Sequence, residues 1–543
     1  MGVGPVPGFA DAAVRQAIAV LPRSGGADLV FEPGCYRFAP GRGATLLFDG
    51  IDDLRIEGNG AELMFAGQGI GMAFRGCAGL AVRGLVLDWP EPPFTQGTVT
   101  ELRDGGHTLD MSLAPGFVLE AGQAPGALHE VDVPTGLLRL SSAEVYGGLK
   151  VVSAGKDRAT LSSVSPLAVA AGSTVVLRHQ VYGGNALHVS VCTGNVEFAD
   201  MTVRAAPGMA LYARNCSGSF RVVRLLVGPR PEAGRWLSTN ADAIHIQDCA
   251  GRVSVEKCTL QGMGDDAINV HSDYLRVTEV LDRRTLAVTH AAGGTVQPGA
   301  LPQPGAAVAF LSGRSLRRTG MSRLLSATAG APARLLFETD LPGGLAAGDL
   351  LSDPEPGVEL TVSDCSFPGN RGRGVVAHGR VSIERCRFRG QSRAAVFLAP
   401  DTFWLECCEV GNAAVRDNLV EDSCRSMPPG APGAAAIVVT ALVRGPDMPN
   451  TRPDIVNHDV EIRANRIDGP HGQAIHVTAV RDLVVSGNVI SKAGGAAVWL
   501  GTVDRASVTN NTCDPPSAIG VQEASVRSVR VGGNQGLAVR AEP

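Results

Sequence analysis

Aromatic residues are scarce: Phe, Trp and Tyr make up 5% of the 543 residues. That excludes a core built from large aromatic clusters. No apolar run approaches the ~18 residues needed to cross a bilayer, which excludes a membrane-spanning helix. No stripe of Lys and Arg interleaved with aromatics occurs, and the formal net charge is −5 with a pI near 6.1. Nucleic acid is therefore not an expected partner. Residues Met1 to Phe9 lack a basic stretch followed by an apolar core, so no signal peptide is present in this chain. The 12 cysteines include no pair of C-x-x-C motifs, and a chain this long is no small disulfide scaffold.

What the chain has is Gly, at 68 residues, and a repeat. The length allows about two to four ordinary domains, or one elongated repeat domain with additions. One phrase recurs: Cys or Asn, an apolar residue two positions on, a turn with Gly, then a new apolar run. It runs from Cys258 to Ile268, Cys365 to Val375, Cys386 to Val396, Asn465 to Ile475 and Asn488 to Val498, with a looser copy from Asp200. A second phrase, Cys-x-Gly, opens the preceding strand at Cys77, Cys192, Cys216 and Cys249. Neighbouring copies are 21 to 24 residues apart, as in Cys365 to Cys386 and Cys192 to Cys216. That period is too short for a helix pair or a propeller blade. It fits one rung of a parallel β-helix with three short strands.

Along one such strand, Val253, Val255 and Cys258 alternate inward with Arg252, Ser254 and Glu256 outward. Equivalent offsets on successive rungs stack ~4.8 Å apart. The cysteines then pack as small apolar residues, and Asn465, Asn488 and Asn510 form a turn ladder that satisfies buried backbone groups. Asp11 to Leu21 has an amphipathic helical pattern, with Ala13, Ala17, Ile18 and Leu21 on one side, and is expected to cap the solenoid. The expected fold is all-β: a right-handed parallel β-helix with a short N-terminal capping helix. The rung phrase vanishes from residue 90 to 181 and from 273 to 357. These segments share an opening, Val99-Thr-Glu-Leu-Arg-Asp and Val277-Thr-Glu-Val-Leu-Asp. Both are expected to be small antiparallel β-barrels inserted into the helix. The helix itself then comprises 1–89, 182–272 with the candidate catalytic rungs, and 358–543.

Counting from the ladder residue places the chemistry. Asp266 lies eight residues after Cys258, and Arg373 lies eight after Cys365. Ala243-Ile244 aligns with Ala267-Ile268, so Asp242 falls in register with Asp266, 24 residues earlier. Asp242, Asp266 and Arg373 should form a column, with Asp265 beside it. Stacked carboxylates raise one another's pKa, which keeps a proton available near neutral pH. A solvated charged face or a calcium site would use the same residues. As catalysts, Asp242 and Asp266 stack too closely to flank a scissile bond with water between them. They are assigned jointly to holding and deprotonating the water, with Asp265 as general acid. Exchanging Asp265 and Asp266 serves the geometry equally.

The phrases Ser238-Thr-Asn240-Ala-Asp242-Ala-Ile-His245 and Gly262-Met-Gly-Asp265-Asp266-Ala-Ile-Asn269-Val-His271 resemble the polygalacturonases of glycoside hydrolase family 28. The other motifs of that family, Gly-His-Gly and Arg-Ile-Lys, do not follow, and His378-Gly379 is a poor substitute. The same phrases, with Trp404-Leu-Glu406, resemble glycoside hydrolase family 110 more closely, over nearly the whole chain. The resemblance implies a β-helix with two barrel insertions that releases terminal α-1,3-linked galactose, as from the blood group B antigen, with inversion and without a metal. Expected substrate contacts are Asn240, His245, Asn269, His271, Arg371, Arg373, Trp404 and Glu406, with Arg235 and Trp236 walling a subsite. No cofactor or metal is expected. The expected partner is a galactose-terminated oligosaccharide or glycan, the site of action extracytoplasmic or secreted, and a homodimer is compatible with the sequence. Two rivals stand beside this reading: another β-helix polysaccharide hydrolase or lyase, and a glycan-binding β-helix without activity. Lys is scarce near the acidic column, against the lyase. A binding protein has no need of three convergent aspartates.

Overall fold

A computed structural model describes residues 1–41, 43–140, 145–290, 296, 301–354, 357–427, 434–443, 453–522 and 525–542. The strands outside the two insertions join into one 37-stranded sheet, paired in parallel between successive rungs except where Glu406–Cys407 turns antiparallel. The chain is a parallel β-helix. One column shows why the sequence folds this way. Leu46, Met72, Leu187, Leu211, Ile244, Ile268, Val375, Val396, Ile437, Ile475, Val498 and Ile519 pair in register from rung to rung. All of them are 0% exposed. Each rung buries only part of its apolar face by itself, and its neighbours bury the rest. Among the described residues, no helix is long and apolar enough to cross a membrane.

The helix Asp11–Ala19 is two residues shorter than the sequence pattern suggests and buries Val14 and Ala17. Arg15 donates to the Thr45 carbonyl at 3.1 Å, which fastens the cap to the first rungs. The cysteines pack inward: Cys77, Cys192, Cys216, Cys249, Cys258, Cys365 and Cys386 are buried and free. Cys258 N–H reaches the Cys365 sulfur at 3.4 Å. The adjacent Cys407 and Cys408 form a disulfide, which the repeat pattern does not reveal.

From Cys386 onward the cysteine ladder is continued by Asn418, Asn465, Asn488, Asn511 and Asn534. From Asn418 on, each backbone N–H and Nδ2 donates to the Oδ1 of the next asparagine at 2.9–3.1 Å. Asn511, not Asn510, is the rung member. Asn510 holds the left-handed turn just before it, with φ 58°. Two adjacent asparagines look equivalent in sequence, and only the backbone turn separates their roles.

The insertions differ from each other. The strands Leu275–Val280, Thr285–Thr289, Ala307–Leu311, Arg318–Thr328, Ala333–Phe337 and Leu350–Ser352 close into a six-stranded antiparallel barrel. The first insertion, from Phe94–Arg103 to Thr174–Arg178, is an eight-stranded antiparallel sheet that does not close among the described residues, contrary to the barrel expected. Its end strand Leu137–Leu138 turns to the β-helix instead. A Cβ on Gly369 or Gly390 would meet the Leu137 side chain at 2.3 and 2.5 Å. That sheet edge is covered by docking rather than by closure.

Asn488 makes four side-chain hydrogen bonds in a fully buried position. Asn488→Ala should cost about 3 kcal/mol in urea unfolding, because buried partners are left unsatisfied. Asn510→Ala should cost under about 1 kcal/mol.

Candidate active site

Asp242 precedes the strand Ile244–Gln247, and Asp266 precedes Ile268–Asp273. Arg373 precedes Val375–Ala377. Strand register aligns the three (Ile244 with Ile268, and Ile268 with Val375). The turns leading in are tight. A Cβ on Gly264 would meet the Asn240 carbonyl at 2.5 Å, and one on Gly372 would meet Asp266 Oδ1 at 2.4 Å. Glycine at both places lets neighbouring rungs come close enough for the carboxylates to meet. Asp265 stands beside the column, and each of the three aspartates has an oxygen within 4.8 Å of the others.

All six oxygens already have donors. Asp242 Oδ1 accepts Asp266 N–H at 3.0 Å, and Oδ2 faces His245 Nδ1 at 2.7 Å. Asp265 Oδ1 accepts from Arg371 at 2.9 Å, and Oδ2 accepts from the Tyr182 hydroxyl at 2.9 Å. Asp266 takes Arg373 N–H at 2.5 Å and its guanidinium at 3.5 Å. Three close carboxylates would suit a cation on distance alone. Here arginine donors already supply the compensating charge. A second acidic group, Asp248 and Asp273 with His290, lies where the second insertion departs; Arg214 stands 3.6 Å from Asp248, and Asp273 is ion-paired with His290.

The environments push the three acids apart. Burial, reinforced by Asp265 and Asp266, raises the Asp242 carboxyl well above the ordinary range. Burial outweighs the Arg373 charge at Asp266 and raises it to about 6. At Asp265, burial is overcome by Arg371, Arg178 and the Tyr182 hydroxyl, which hold the carboxyl below its usual value. The Asp242–Asp266 pair thus holds a proton more readily than Asp265 does.

Imidazoles and a fourth carboxylate complete the centre. His271 is buried. Although burial opposes its charge, Glu406 and Asp273 push it up to about 9. Burial and the His271 charge hold His245 down to about 3. His271 Nε2 then donates to His245 Nε2 at 3.1 Å, and His245 Nδ1 donates to Asp242. Glu406 arrives because Glu406–Cys407 pairs antiparallel with Ser272 and Asp273. It accepts from Asn269 at 3.2 Å and, against burial, is held well below its usual pKa by His271 and His378. Asn269 Oδ1 has no hydrogen-bond partner among the described residues, and His378 Nε2 stands 3.7 Å from Glu406 Oε2. Trp404 (57% exposed) and Phe403 (54%) stand edge to face on the same segment. The Arg373 guanidinium lies 4.5 Å above the Phe397 ring.

Three expected contacts are placed differently. Asn240 is fully buried and donates to the Pro93 and Gln180 carbonyls, fastening the first insertion. Arg235 pairs with Asp88 at 2.8 Å and caps the Trp89 and Pro90 carbonyls. Trp236 packs beside Phe94, Phe117 and Leu237 at the same junction. These residues secure the insertion where it leaves the helix. The first insertion also contributes Tyr146, Arg178 and Tyr182, none of which the rung pattern marks. The one signal for them was an aromatic, Tyr182, beside Gly183-Gly184 at the return to the rung.

Fold and site define a β-helix protein with a carboxylate centre fed by an insertion. No family model matches the chain. It is similar to alpha-1,3-galactosidase B of Akkermansia muciniphila, 26% identical over 443 residues, which are 75% of this chain and 55% of that protein. Alpha-1,3-galactosidase A of Bacteroides fragilis is 24% identical over 421 residues, 73% of this chain and 67% of that one. Alpha-1,3-galactosidase B of Bacteroides thetaiotaomicron is 23% identical over 461 residues, 76% and 73%. The chain thus spans little more than half the length of the first of these relatives. All agree with the family 110 resemblance. Among solved structures, the adhesin PfbA of Streptococcus pneumoniae aligns over 100% of this chain and 98% of its own with 10% identity and a TM-score of 0.39.

The His271 charge generates a test. Its folded pKa of about 9 exceeds the ordinary 6.5, so its contribution is fully present below about pH 6.5 and is lost as pH rises through 9. The stability difference between the parent protein and His271→Gln, measured by urea unfolding, should shrink by about 2–3 kcal/mol between pH 6 and 10.

Proposed function

We propose that the protein is an exo-acting glycoside hydrolase that releases terminal α-1,3-linked galactose from oligosaccharides or glycans. The observation that carries this is the meeting of Asp242, Asp265 and Asp266, two with raised and one with lowered proton affinity, on a chain similar to proteins named alpha-1,3-galactosidases. Asp242 and Asp266 are 4% and 5% exposed, whereas the Asp265 side chain is 14% exposed. The outermost carboxylate is best placed for the glycosidic oxygen, and the inner pair for a water. Asp265 donates a proton to the leaving oxygen as the C1–O bond breaks. Water, losing its proton to the Asp242–Asp266 pair, attacks C1 from the opposite face, giving inversion. The proton Asp265 gives away comes from the inner pair, an exchange that leaves the cluster's proton count unchanged. Asn269, His378, Arg371 and Glu406 bind galactose hydroxyls, and Trp404 stacks on a sugar face.

One observation favours a second reading. Oxygens within 4.8 Å are closer than the ~6.5–9.5 Å usual for inversion and nearer the ~5–5.5 Å of retaining enzymes. In that reading Asp265 attacks C1 directly.

The test is turnover of branched and linear Gal-α-1,3-Gal oligosaccharides, with the anomer of released galactose followed by NMR. β-Galactose as first product supports inversion, and α-galactose supports retention. Binding without release of galactose would leave only a glycan-binding protein. Asp242→Asn, Asp265→Asn and Asp266→Asn should each lower kcat/KM by ~3–5 orders of magnitude. Asp265→Ala should keep most of its rate on α-galactosyl fluoride, which needs no acid, while Asp242→Ala should not. The reverse pattern would exchange their roles.

A further inference from the structure

The first insertion returns to the β-helix through residues 179–186, between the strands Thr174–Arg178 and Leu187–Ser190. That return brings Tyr182 to Asp265. The two donors to the Asp265 carboxylate are unlike. Arg371, on Oδ1, is 7% exposed and its guanidinium lies 4.7 Å from the Tyr146 ring. Arg178 lies 5.2 Å from the same ring, 1% exposed, and its Nη1 donates to the Asn240 and Gly264 carbonyls at 2.7 Å each, immediately before the catalytic turns. Oδ1 is thus held by Arg371, whose guanidinium shares the Tyr146 ring with that of Arg178. Tyr182, on Oδ2, is 54% exposed.

A carboxyl that protonates a leaving oxygen needs that oxygen at ~2.6–3.2 Å. The Tyr182 hydroxyl occupies that place at 2.9 Å. We propose that Tyr182 is the positioning residue of Asp265: its hydroxyl stands where the leaving oxygen must come, orients the carboxylate in the empty site, and yields the place to the substrate. This rests on the galactosidase reading above. Because a hydroxyl donating to a carboxylate favours the charged form, Asp265 stays ionised until the substrate replaces Tyr182. It then takes the proton held by Asp242 and Asp266, so protonation of the acid is tied to occupancy. The groups that act on Asp265 are Arg371 and Arg373 from the rung above, Arg178, Tyr146 and Tyr182 from the first insertion and its return, and Asp242, Asp266 and His245 from its own and the preceding rung. Of these, Tyr182 alone is a neutral donor to the carboxylate, so its hydroxyl can be removed without changing the charge of the cluster.

The experiment is Tyr182→Phe in the full chain, read in two ways. Infrared titration of the free protein follows the protonated carboxyl band, with Asp265→Asn identifying the Asp265 contribution. In Tyr182→Phe that band should titrate about 0.5–1 pH unit higher than in the parent. In turnover, Tyr182→Phe should change kcat/KM, which reports the free enzyme, and leave kcat, which reports the complex that Tyr182 has already left, in place. A purely structural Tyr182 would lower both together, and thermal unfolding of the variant checks that the fold is kept. An unchanged infrared titration overturns the inference whatever the activity. A shifted titration in a protein that turns over no α-galactoside keeps the Tyr182–Asp265 coupling and removes the galactosidase reading.

Discussion

Parallel rung register is the constraint on which the rest depends. Strands that pair residue to residue bring equivalent offsets to within one strand spacing, whatever their chemistry. At most offsets this is favourable, because identical apolar side chains stack, as in the column from Leu46 to Ile519. At the offset of Asp242 and Asp266 it forces two carboxylates together, with Asp265 adjacent. No backbone shift can separate them without breaking the ladder on either side. The fold therefore imposes the electrostatic conflict, and the surroundings determine how it is met.

It is met unequally. Burying three carboxylates uncompensated would be prohibitive, since each desolvated charge needs a partner. Arg373 enters from the next rung as part of the same column, so the repeat itself provides it. Arg371 precedes it by two residues in the same turn. Arg178 and Tyr182 come from outside the repeat. Asp265 receives most of this compensation, which pulls its carboxyl below the usual range; Asp242 receives least and is pushed above it. An acid and a base with separated proton affinities are what general acid–base chemistry requires. Here the separation arises from the distribution of donors among three chemically identical side chains.

How much of this was legible in the sequence follows from what a period encodes. The rung phrase carries register, so the Asp242–Asp266–Arg373 column and the inward cysteines could be counted out. A period says nothing about partners delivered by segments that interrupt it. Tyr182 lies 83 residues before Asp265, and nothing in its own neighbourhood announces the meeting. The misplacements have the same origin. Asn240, Arg235 and Trp236 sit in or just before the Asp242 phrase and look available, yet the first insertion docks on that turn and packs against them. Asn510 and Asn511 differ only in backbone conformation, which composition does not reveal. Among the described residues the first insertion stays open, and its end strand is covered instead by a second surface, the glycines of the β-helix.

The two insertions accordingly have different relations to the chemistry. The second leaves just after the strand that begins at Ile268 and closes on its own core of Val277, Leu286, Val288, Phe310, Leu335 and Phe337. Its return strand leads on to the rung of Arg371 and Arg373. The first has its own core as well, but its edge strand, its last strand and its return all contact the rungs of the carboxylate centre or the next rung. A β-helix alone offers a flat, repetitive face, and the rungs supply charges only in columns. A site that must treat neighbouring aspartates differently needs a donor set that breaks the column symmetry. The first insertion supplies it, and its docking on the helix, through buried Asn240 and Arg178, is therefore part of the carboxylate centre and not an accessory to it.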